Sequence, residues 1–106
     1  MPTEASRPER VIAIEDVMGL WRASPRSGLG ECRVSLSRQP LGDAYGVHTE
    51  ACSLPLFAKA VTWRPVAGGF QLHDQDGRRL IAFRQTGVDG FVAVDEAYRL
   101  ERAPLD

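Results

Sequence analysis

The sequence predicts an all-β protein, an eight-stranded antiparallel up-and-down β-barrel with an N-terminal arm and a short helical turn. Three observations lead there. From Trp21 onward, short runs of alternating apolar and polar residues recur, cut by Gly, Pro, Asp and Ser. The runs are joined by connections too short for a helical crossover, so neighbouring strands run antiparallel. Eight such strands suffice to close a barrel that side chains just fill, which also removes every free sheet edge.

Residues 1–11 form the arm. "MPTEASRPER" is polar, holds two prolines without amide donors and offers nothing apolar to dock. In "VIAIEDVMGLW", Ile14, Val17 and Met18 fall at i, i+3 and i+4, which predicts a helical turn or two ending before Trp21. Residues 12–106 are then one barrel domain.

The first strand is "LWRAS", followed by a loop, "SPRSGLG". In "CRVSLS", Cys32, Val34 and Leu36 alternate with Arg33, Ser35 and Ser37, the period of a strand with one buried face. "RQPLGD" turns the chain into "AYGVHTEA". Next, "SLPLFAKA" predicts a second helical turn: Ser53 is placed to cap it, Pro55 suits its first turn, and Leu54, Phe57, Ala58 and Val61 share a face.

"VTWRPV" is the fourth strand, with Pro65 expected at an edge or a bulge. Hairpins make up the rest: "GFQLHD", "RLIAFRQ", "FVAV" and "YRLER", with turns at "QDGR", "TGVDG" and "DEA". Asp76-Gly77 and Asp89-Gly90 each place a glycine where positive φ is cheapest. Trp21, Trp63, Phe70 and Phe83 are expected to fill the interior. A hollow barrel holding a small apolar ligand would need a cavity lined by "FQLHD" and "LIAFR", and strands this short favour a filled one.

The totals narrow the function. The chain has 106 residues, 13 basic and 14 acidic side chains and a formal net charge of -1. Like charges do not cluster beyond pairs such as Arg78-Arg79, so neither nucleic acid nor membrane insertion is expected. The even charge and the lack of an apolar stripe suit a monomer. Residues 1–10 lack the apolar centre of a signal peptide, so export requires a leader removed before numbering begins.

Catalytic constellations are scarce. His48 and His73 alternate with apolar neighbours, which puts both on the solvent face of strands. The serines lack a nucleophile-elbow context, and Asp74, Asp76 and Asp89 sit in hairpin turns where carboxylates bond local backbone. "GLGEC" and "AGGF" have the glycines of phosphate loops without a following helix. No enzyme activity, cofactor or metal is expected.

Cys32 and Cys52 are the only cysteines. A zinc site is disfavoured, because each stands alone and His48 and His73 are the only other soft ligands. A redox pair is disfavoured by the wide spacing. A disulfide staple fits best, since both cysteines border strands of a small all-β domain. Two unpaired buried thiols are the alternative.

The ordered features resemble the Inh (AprI-type) family, bacterial inhibitors of secreted zinc metalloproteases. "GLWRAS", "ECRVSL", "EACSLPL" and "VTWRPVAGGFQLHDQDGRRLIAF" carry the likeness over about residues 19–85. The resemblance implies a Cys32–Cys52 disulfide, a periplasmic location and a serralysin-like protease as partner. It also implies occlusion in place of catalysis: an N-terminal arm lies in the protease cleft with its free amine towards the zinc, which belongs to the partner. The arm carries over as a segment, Glu4, Ala5, Ser6, Arg7 and Pro8, without an individual zinc ligand. A structural, envelope-associated barrel of the same fold that inhibits nothing is the competing function.

Overall fold

The computed structural model describes residues 11–103 except Val88. Eight strands run in sequence order around a closed antiparallel barrel: β1 Gly19–Pro25, β2 Cys32–Leu41, β3 Ala44–Glu50, β4 Thr62–Val66, β5 Gly69–His73, β6 Arg79–Gly87, β7 Gly90–Ala93 and β8 Tyr98–Arg102. The ring closes through β1 and β8, with Trp21 opposite Arg102 and Ala23 opposite Leu100. Two helical turns complete it, α1 Ile14–Val17 and α2 Pro55–Ala58.

Alternation decides which side chains enter. Trp21 and Ala23 of β1, Cys32, Val34 and Leu36 of β2, and Phe70 and Leu72 of β5 are all buried. Trp63, Phe83 and Phe91 join them, so the four aromatics expected inside are there. Phe91 and Phe57 are buried as well and extend the core beyond that set.

The rings touch in a chain along the barrel. Trp21 meets Phe91 edge-on at 5.1 Å, and Phe91 meets Phe70 at 4.9 Å. Phe70 stacks on Phe83 at 5.0 Å, and Phe83 meets Phe57 of α2 at 6.0 Å. Aromatic pairs at such separations add about 0.5–1.5 kcal/mol each beyond their buried area. The space a hollow barrel would reserve for a ligand is occupied by these rings.

The turns alternate between two ends. At one end lie α1 and the β2–β3, β4–β5 and β6–β7 turns; at the other lie the 26–31 loop, α2 and the β5–β6 and β7–β8 turns. Helical turns plug both ends, through buried Val17 of α1 and buried Phe57 of α2.

Several local expectations need correction. The turn expected in "RQPLGD" is present but confined to Gly42 and Asp43; β2 continues through Pro40 to Leu41, with a register shift between Leu36 and Pro40 that accommodates the missing amide. Ser53 does not cap α2. Its hydroxyl donates to the Glu31 carbonyl at 3.2 Å and accepts from the Glu31 amide at 3.1 Å, which ties the two connections together.

Ala58 and Val61 are exposed, because α2 lasts a single turn and Ala60 takes the buried place. Gly90 is not among the positive-φ glycines, and it pairs with Gly87 across the turn. Pro65 does stand where β4 is locally an edge, paired with Phe70 of β5 and with nothing on β3. The β3–β4 ladder pairs only Tyr45 with Trp63 and Gly46 with Thr62, so Pro65 lies beyond its reach and its absent N–H leaves no ladder bond unmade.

Candidate functional site

The barrel end that receives the N-terminal segment is the candidate site. Val11, 62% exposed, forms a bridge with Ala67 of the β4–β5 turn, and the Ile12 amide donates to the Val66 carbonyl at 3.3 Å. Val11 and Ile12 are therefore held at this rim. Glu4, Ala5, Ser6, Arg7 and Pro8 lie outside the described residues.

Behind Val11, α1 is fixed from below and from the side. The Trp21 indole N–H donates to the Val17 carbonyl at 2.7 Å, which satisfies both a buried ring and an open helix end. The Arg102 guanidinium lies 4.0 Å from the centre of the Trp21 ring and donates from Nη1 to the Met18 carbonyl at 2.8 Å. Its Nε faces Asp89 Oδ1 at 3.4 Å.

One side chain thus links the last strand, the β6–β7 turn and the root of the arm. Asp89 bonds this distant arginine, where a contact to local backbone was expected. Asp74 does behave as expected, its Oδ1 accepting from the amides of Asp76 and Arg78 at 2.9 Å each. Elsewhere on the rim, Arg64 Nη2 donates to Asp43 Oδ1 at 2.9 Å, joining β4 to the β2–β3 turn. The Trp63 indole N–H donates to the Ser37 carbonyl at 2.7 Å.

The disulfide Cys32–Cys52 is formed and sits near α2, at the far end. It joins the start of β2 to the segment after β3. It does not touch the rim.

His48 is exposed on β3, as alternation predicts. His73 is not: it is 7% exposed, because a register shift between Leu72 and His73 breaks the alternation and the α2–β4 connection pairs beside it. Among the described residues its Nδ1 has no hydrogen-bond partner. Burial lowers its pKa from 6.5, the positive charges of Arg64 and Arg79 lower it further, and Asp43 and Asp74 oppose them. The two histidines face different surroundings and make no dyad. Among the described residues no group of three His, Cys, Asp or Glu side chains is placed to hold a metal ion.

Arg102 and the docking of Val11 were not legible in the sequence. Their partners lie far away along the chain, and no local motif marks them. The arrangement supplies rigid positioning, and among the described residues it brings no catalytic constellation to the rim. A family model described as "Protease inhibitor Inh" matches residues 11–102, from the bridged Val11 to Arg102 itself. No curated protein matches the chain.

Proposed function

The chain belongs to the protease inhibitor Inh family, and from that premise we propose that it blocks a secreted zinc metalloprotease of the serralysin type by lodging its N-terminal arm in the active-site cleft. The observation that carries this reading is the fixed root of the arm. Val11 and Ile12 are bonded to the β4–β5 turn, and α1 is bonded to Trp21 and Arg102.

Affinity is lost wherever binding must order flexible groups. A filled, closed and cross-linked barrel has little left to order, so the cost falls on the arm alone. An extended arm offers backbone donors and acceptors to a cleft made for peptide backbone. A free amine at its end would take the open coordination position of the protease zinc, where the catalytic water binds. The barrel acts as a monomer and performs no chemistry. The disulfide suits an oxidising compartment, and the periplasm is the proposed location.

Three oxidised proteins test the proposal against a serralysin-type protease: the full chain, a version beginning at Ser6 and one beginning at Val11. Inhibition by either of the first two, with a folded Val11 version inactive, is expected. Full protease activity with all three in roughly micromolar excess would overturn it and favour the envelope-associated, non-inhibitory barrel.

A further inference from the structure

The outer wall across β6, β7 and β8 carries a cavity of about 410 Å³ that plays no part in holding the arm. Val92 lies in its lining, with Arg84 opposite on one neighbouring strand and Arg99 opposite on the other. Directly opposed side chains on one sheet face stand about 5 Å apart at Cβ, so the two arginines flank an apolar floor. Thr86 lines the cavity towards the rim, and Arg26 with Glu96 lines it towards the far end.

Glu96 is the unusual member. Its φ is 63°, the left-handed region that a glycine would occupy without strain. Holding a non-glycine residue there costs backbone strain. Its carboxylate lies 3.7 Å from Arg84 Nη2 and 4.0 Å from Arg26 Nη1, long separations for ion pairs that are exposed on both sides. One carboxylate thus loosely occupies ground shared by two guanidiniums, while the structure gives Arg99 beside them no ion-pair partner among the described residues.

We propose that this groove binds an acidic peptide segment of a partner protein, whose carboxylates take the place that Glu96 fills in the free molecule. Guanidinium forks match carboxylates in a bidentate geometry that Glu96, at 3.7 and 4.0 Å, does not reach, so an incoming carboxylate has closer contacts to gain. The Val92 floor suits peptide methylenes. A nucleic acid is disfavoured, since the chain as a whole is slightly acidic.

The inference does not depend on protease inhibition, and its test uses no protease. Amide chemical shifts of the full, oxidised chain are followed while hexaglutamate, hexaglutamine or inorganic phosphate is added to about 1 mM at low salt. Hexaglutamate is expected to shift the amides of Val92, Glu96 and Arg99 and to leave those around Val11 unchanged. Arg84→Gln and Arg99→Gln should each weaken binding by about tenfold, the size of one charge-assisted contact.

Glu96→Gln should tighten binding by a similar factor, because the internal competitor loses its charge. Both arginines are exposed, so neither substitution threatens folding. No shift with hexaglutamate, equal shifts with hexaglutamine or phosphate, or unaltered binding in Glu96→Gln would each overturn the proposal.

Discussion

The guanidinium of Arg102 lies 4.0 Å from the centre of the Trp21 ring and reaches past it to the Met18 carbonyl. The pair couples the final strand to the end of α1. Arg102→Gln should destabilise the fold by about 2 kcal/mol, from the lost cation–π contact and the hydrogen bond that loosens α1. Urea unfolding measures that. Protease inhibition should weaken further than the lost folded fraction explains, and a loss matching that fraction would make the residue purely structural.

The disulfide stabilises the opposite end. Cys32 and Cys52 close a loop with a sequence separation of 20. In the chain-entropy account such a loop contributes about 3 kcal/mol, a large share of the stability of a small domain. Adding reductant, or replacing both cysteines by alanine, should lower the urea midpoint accordingly. An unchanged midpoint would mean that the filled interior alone holds the barrel.

Three backbone positions should respond in different ways. A Cβ at Gly69 would run into the Phe83 carbonyl on the facing strand, so Gly69→Ala should cost about 2 kcal/mol or more through forced strand separation. Gly77→Ala meets open space, but φ is +82° there, and the cost should be about 1 kcal/mol. Glu96→Gly should reverse the sign and stabilise by about 1 kcal/mol, because it relieves a positive φ. Thermal midpoints of the three variants order these effects.

His73 makes stability depend on pH. Its folded pKa lies below 6.5, chiefly through burial, so as pH falls the unfolded chain takes the proton first. Its contribution is fully present above the unfolded value and declines as pH drops towards the folded value, below which the loss levels off. Unfolding midpoints at about pH 8 and about pH 5.5 should therefore differ, and His73→Gln should reduce the difference. An identical difference in the variant would assign the effect to other groups.

Most of the barrel was legible because period-2 alternation and turn residues reported the same architecture. Trp21, Trp63, Phe70 and Phe83 could be placed inside from their neighbours alone. What alternation misses is a slip in register. His73 reads as solvent-facing in "QLHDQ" until the shift after Leu72 buries it, and "RQPLGD" reads as turn throughout, although the irregularity before Pro40 lets the strand run on to Leu41 and leaves only Gly42 and Asp43 to turn. Phe57 belongs to a plug whose burial depends on the barrel below it. The rim was the least legible part: Arg102 finds Met18 at a sequence separation of 84, and only the closed ring brings them together.

Closure has a further consequence for a molecule whose partner cuts polypeptides. A protease reads its substrate as an extended strand, laid along the cleft with free amide edges. In this barrel every strand is already paired on both sides, from β1 against β8 through to β7 against β8. No strand of the wall can be offered to the cleft without first breaking a ladder. The ring is thus shielded from digestion by its own topology, and the weakest seam, the short β3–β4 pairing, is where nicking would begin if the fold were loosened.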